Sequence, residues 1–121
     1  MESKKTIIGK RKNDFLSQLE LSSSSKRRYR EALDSPFIGN FIRMKLQIDS
    51  IYELTDLNLL WDLYSEINLH PENVRMHRYY SAPIMKYIRF LNGGQKYGKR
   101  IDYMKKKNRT IIRNKNKSDN A

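Results

Sequence analysis

The chain has 121 residues, 38% of them hydrophobic, enough for one small core and one ordinary domain. It contains no cysteine, which rules out disulfides, thiolate metal sites and cysteine nucleophiles. The formal net charge of +12 is large for this length and points to an anionic partner: nucleic acid first, then an anionic membrane surface or an acidic protein.

Residues 1–12 read as a basic arm, with Lys4, Lys5, Lys10, Arg11 and Lys12 against Glu2 alone. Ile7-Ile8 is the only apolar run before Gly9, so the apolar stretch of a secretory signal is missing. No run approaches the roughly 20 apolar residues that span a bilayer. A soluble cytoplasmic protein is expected, at the nucleoid if it binds DNA.

Helical spacing then dominates. Phe15, Leu16 and Leu19 share one face of a first helix over about residues 13–21. The serines at 22–25 suit the start of a second, because a serine hydroxyl can accept an exposed backbone N–H at a helix N-terminus. Tyr29, Ala32 and Leu33 form its inward face. Ser35-Pro36 pairs a cap with a proline at the first helical position, and Phe37, Ile38, Phe41 and Ile42 follow. Residues 48–54 alternate poorly and read as a loop or a single turn. Thr55 caps a fourth helix, with Asp56 placed for the helix dipole and Leu57, Leu60, Trp61, Tyr64 and Ile67 on its apolar side.

Pro71 or Asn73 opens the last and longest helix. Ser81, Ile84, Met85, Ile88 and Leu91 give it a buried stripe, and Gly93-Gly94 ends it. Pro83 falls inside this pattern and predicts either a bend near residues 79–82 or two helices meeting there. From residue 95 a basic loop, Q-K-Y-G-K-R, leads into a largely disordered tail, with a short helical extension around residues 101–107 as an option. The expected fold class is all-α: a compact bundle of four to five helices over residues 13–94, with basic, flexible N- and C-terminal tails.

Charge is unevenly placed. Residues 34–72 hold seven acids and two bases, and the other 23 of the 25 lysines and arginines lie elsewhere. A fold that joins the second and last helices would carry a one-sided basic surface, the footprint of a nucleic-acid binder. Three groups of residues would build it. Ser24 and Ser25 precede Lys26, Arg27, Arg28 and Arg30 at a helix start, where hydroxyls, free N–H groups and cations suit a phosphate. On the last helix Arg75, Arg78 and Arg89 lie within about 60° of one another at 100° per residue, with Lys86 at the edge. Tyr79 and Tyr80 beside them can stack on bases or pack on sugars, although at least one belongs in the core. Lys96, Lys99 and Arg100 follow the double glycine. The competing reading of each group is a solvated cationic surface.

Catalytic patterns are missing. His70 and His77 are two turns apart, too far for a paired metal site, and no carboxylate completes one. His77 falls on or beside the buried face of the last helix and reads as a structural histidine. Asp62 and Glu66 can hold a cation but suit the acidic outer face of the fourth helix better. Neither a G-x-S-x-G element nor a phosphate-binding G-x-x-x-x-G-K-[ST] loop occurs. No enzyme activity and no cofactor are expected.

The order F-L-S-Q-L-E-L, S-S-S-S-K-R-R-Y-R-E-A-L, T-D-L and Y-I-R-F-L-N-G-G resembles the N-terminal core-binding domain of tyrosine recombinases and phage integrases, over about two thirds of the chain. The resemblance implies a helical bundle that grips one side of a duplex. It implies DNA contact from Ser24, Ser25, Lys26, Arg27 and Arg28 at the second helix start, and from Arg75, Arg78 and Tyr79 further on. It also implies a phage, mobile-element or bacterial origin. Pro83 departs from the plain final helix of that family. No H-x-x-R follows, nor the roughly 150 further residues of a catalytic domain, so binding without recombination is expected. Two alternatives remain open: a protein-interaction or regulatory module that docks a partner on its acidic middle, such as a phage-encoded inhibitor, and an RNA-binding protein.

Overall fold

Short polar side chains start most of the helices. The computed structural model describes residues 3–97. Ser3 opens α1 (Lys4–Gln18), Ser22 opens α2 (Ser23–Leu33) and Ser35, with Pro36 behind it, opens α3 (Pro36–Leu46). In each, the serine oxygen accepts a backbone N–H three residues on, from Thr6, Ser25 and Ile38 respectively. A 3₁₀ turn at Ile51–Glu53 leads to α4 (Leu57–Leu69). There Asp56 and not Thr55 is the cap, its carboxylate accepting the N–H groups of Asn58 at 2.9 Å and Leu59 at 3.2 Å. The short α5 (Pro71–Arg75) and then α6 (Ser81–Leu91) complete the order. The chain is all-α, and no strand occurs among the described residues. No helix among them is long and apolar enough to cross a membrane.

The basic segment at the N-terminus is not a flexible arm up to residue 12. It is the first part of α1, and its cations lie over the acidic middle of the chain. Lys4 pairs with Glu53, Lys12 pairs with Asp34, and the Arg11 guanidinium donates to the Tyr52 carbonyl. Ile8 packs against the core from the same helix. Residues whose own composition reads as unstructured thus form a capped helix that lies against sequence-distant acids and the core. Lys99, Arg100, the optional helix at 101–107 and the C-terminal tail lie outside the described residues.

The core is built on aromatic rings. Phe15 of α1 meets Tyr87 of α6 edge-on at 5.4 Å, and Tyr52 of the 3₁₀ turn meets Tyr87 at 5.3 Å. Ile38, Ile42, Ile51, Leu60, Ile67, Ile84 and Ile88 fill the space around them. The segment at 48–54 is therefore more than a connector, since Ile51, Tyr52 and Leu54 are buried. The Tyr87 hydroxyl donates to the Leu54 carbonyl at 2.8 Å and ties α6 to this segment.

Of the two outcomes that Pro83 allowed, two helices meeting is the one that forms, and not a single bent helix. The chain leaves α5 after Arg75, turns through residues 76–80 and re-enters a helix at Ser81. Pro83 is the third residue of α6, where a backbone N–H has no partner within the helix, so proline costs nothing there. Arg75, Arg78 and Arg89 consequently do not share a helix face: the first ends α5, the second lies in the turn and the third is on α6.

Candidate nucleic-acid interface

The turn between α5 and α6 has an unusual backbone. His77 and Arg78 both have positive φ, 53° and 66°, a conformation that side-chain-bearing residues rarely take. Asn73 over-determines it. This asparagine is fully buried, and its side-chain oxygen accepts the N–H groups of Tyr80 at 3.1 Å and Ser81 at 3.0 Å. Its amide donates to Ser81 Oγ at 2.9 Å and to the Asn68 carbonyl at 3.3 Å. Its own backbone carbonyl accepts the Arg78 N–H at 2.8 Å. Asn73 thereby caps α6, which has no local side-chain cap, from another helix.

The turn faces the start of α2 across an open cleft of about 340 Å³. Ser25, Arg28 and Tyr29 of α2 line one side, while Met76, His77, Arg78 and Tyr79 line the other. Leu21 and Ala82 complete it. Ser25 and Arg28 thus meet Arg78 and Tyr79, although some fifty residues separate the two pairs. The hydrogen bonds of both guanidinium groups go to neutral partners: Arg28 donates to Ser25 Oγ at 3.4 Å, and Arg78 donates to the Asn68 side-chain oxygen. Burial, reinforced by the nearby Glu31 carboxylate, raises the Tyr79 hydroxyl above its ordinary pKa, while Arg28 opposes the shift. Tyr79 therefore carries its proton at neutral pH and can donate it.

The remaining expected residues are distributed elsewhere. Lys26, Arg27 and Arg30 line a separate groove between α1 and α2 with Leu16 and Ser23, and Arg27 is within 3.5 Å of Glu31. Ser24 is exposed beside the cap serine, 3.2 Å from Ser22 Oγ, and does not line the cleft. Arg75 is turned to Glu72, donating to both carboxylate oxygens at 3.1 and 2.6 Å, and the hydrogen bond holds the Glu72 carboxyl below its ordinary pKa. Arg89 joins Lys86 in a third groove, against the end of α1 at Gln18 and Leu19. Lys96 is exposed after the double glycine.

Two residues of the cleft were expected in other roles. His77 is exposed in the turn and not set against the core. Tyr29 is half-buried as a wall of the cleft, whereas an inward core position was expected. Met76, for which the sequence carried no expectation, also lines the cleft. Tyr80, by contrast, is the core member of the tyrosine pair, its ring 4.4 Å from that of Phe37. A single clue in the sequence pointed to the cleft: Pro71 and Pro83 each suit the first turn of a helix, which leaves room for a turn between two helices.

No protein-family model matches the chain, and neither a curated protein nor a solved structure matches it.

Proposed function

We propose that the chain binds duplex DNA, mainly through its phosphates and without catalysing a reaction on it. The observation that carries this reading is the convergence of Arg28 and Ser25 with Arg78 and Tyr79 on one open cleft. Two arginines whose hydrogen bonds go to neutral oxygens keep their charge for an outside anion, unlike Arg75 and Arg27, which lie against carboxylates. The cations of the α1–α2 groove and of the α1–α6 groove flank the same connection between α1 and α2, giving a duplex further contacts. The resemblance to integrase core-binding domains also puts DNA contact at the start of the second helix.

The alternative of an acidic docking surface is weakened by ion pairs within the chain. Asp34, Asp49, Glu53 and Glu66 lie against Lys12, Arg43, Lys4 and Lys45.

A gel-shift titration with random duplex across a salt series tests the proposal. Log affinity is expected to fall linearly with log salt, because binding releases counterions from the duplex and added salt makes that release less favourable. The Lys26/Arg27/Arg28→Glu and Arg28/Arg78→Glu variants should each weaken binding and flatten the slope. No shift at low salt, or full binding by both variants, refutes it.

A further inference from the structure

A phosphate oxygen needs only cations and N–H groups, yet this cleft offers more. Tyr29 and Tyr79, both half-buried, contribute from different elements, and Met76 and Ala82 add apolar surface to the same cleft. Arg28, His77 and Arg78 line the same space. Its volume of about 340 Å³ is at the small end of ligand-binding cavities. Aromatic surface next to guanidinium groups is the combination on which unpaired bases stack while their phosphates are held. A base within a duplex is covered on both faces by its neighbours and cannot use such a wall; a base in a bulge, gap or overhang can.

We propose that this cleft seats one unpaired nucleotide of an otherwise double-stranded DNA, its base against Tyr29 and Tyr79 and its phosphate on Arg28 and Arg78. The inference rests on the DNA-binding reading above and sharpens it from duplex in general to duplex carrying a local defect or end. The two elements make distinct contributions. The start of α2 supplies Arg28 and the Tyr29 ring, and the strained turn supplies Arg78 and the Tyr79 ring at the same mouth.

The test uses the full chain and two DNAs of equal length. One is fully paired with 2-aminopurine opposite thymine, and the other carries 2-aminopurine as a single-nucleotide bulge. The bulged DNA is expected to bind about tenfold more tightly, in line with the measured worth of one base–aromatic stack, with 2-aminopurine fluorescence quenched on binding. In Tyr29→Leu/Tyr79→Leu the ratio of the two affinities should collapse towards one. In Tyr29→Phe/Tyr79→Phe, which keeps both rings, the ratio should persist, and this separates lost stacking from lost folding. Equal affinity for the two DNAs, or a ratio that survives the leucine variant, overturns the inference and leaves general duplex binding intact. Failure to bind either DNA at low salt overturns both. A bulged RNA bound as tightly as the bulged DNA refutes the assignment to DNA.

Discussion

Asn73 and Ser81 exchange two hydrogen bonds: the asparagine amide donates to the serine Oγ at 2.9 Å, and the serine N–H donates to the asparagine side-chain oxygen at 3.0 Å. Both residues are buried, so neither bond competes with bulk water. The same asparagine oxygen takes the Tyr80 N–H, so Asn73→Ala leaves two buried donors without partners. The expected loss is about 3 kcal/mol, read as a lower urea midpoint. A loss within half of one kcal/mol would mean that water replaces the side chain.

Arg78→Gly should separate stability from binding. Glycine adopts the φ of 66° without the clash that a Cβ brings, and the contact with Asn68 that is lost is exposed. Stability should rise by about 1 kcal/mol, while affinity for DNA falls. Urea melts and gel shifts on one preparation check both. A variant that is less stable than the parent would show that the turn is not strained.

Two core tyrosines should respond oppositely to loss of the hydroxyl. The Tyr52 hydroxyl is buried with no hydrogen-bond partner among the described residues, whereas that of Tyr87 donates to the Leu54 carbonyl. Tyr52→Phe should therefore be neutral or stabilising by up to about 1 kcal/mol, and Tyr87→Phe should cost about 1–2 kcal/mol. Thermal melts of the pair decide the matter, and equal destabilisation by both would contradict it.

The same two residues set an alkaline limit. Burial pushes the Tyr87 hydroxyl up to about 12, with Arg11 acting against the shift, and burial raises Tyr52 as well. In the unfolded chain both ionise near the ordinary tyrosine value of about 10. Their contribution to stability is complete below that value and is lost as pH rises through the folded-state values. Stability measured between pH 9 and pH 12 should fall steadily, and phenolate absorbance should show a fraction that ionises only as the fold opens. A flat stability curve over that range would refute the assignment.

On the acid side, Glu53 and Lys4 form a pair whose members are not equivalent. The Lys4 hydrogen bond, joined by the backbone N–H groups of Asp49 and Ser50, holds the Glu53 carboxyl below its ordinary pKa. That contribution is full above the ordinary carboxylate range and disappears as pH falls through the folded value. Glu53→Ala removes the carboxylate half of the capping box that Ser50 opens on the 3₁₀ turn and should cost about 1 kcal/mol. The Lys4 side chain is 77% exposed, and Lys4→Ala should leave the melting midpoint unchanged. Differential scanning calorimetry of both variants distinguishes cap from ion pair.

Local chemistry made most of the helices legible. Ser22, Ser35 and Pro36 act at short range, and their helices start where the sequence places them. The stripes through Ile38 and Ile42 and through Ile84 and Ile88 are buried as their spacing requires. Effects that depend on distant partners were hidden. Residues 4–12 lie against Glu53, Asp34 and Tyr52, none of them nearby in sequence. The burial of Tyr52 depends on Phe15 and Tyr87. For the site, residue types were legible but their grouping was not. Arg28 and Arg78 were both candidates, yet the expected partners of Arg78 were Arg75 and Arg89 on one helix. The turn that breaks this grouping is held by Asn73, which the sequence offered only as a possible helix start. Helical periodicity cannot signal such a turn, because it depends on hydrogen bonds to one buried amide.

The positive φ angles at His77 and Arg78 have a kinetic consequence. A turn fixed from within by a buried amide already holds its arginine and tyrosine at the cleft before any ligand arrives, so the ordering entropy has been met during folding. Association should then proceed in one concentration-dependent phase governed by electrostatic encounter, with no slower unimolecular step in which the cleft assembles.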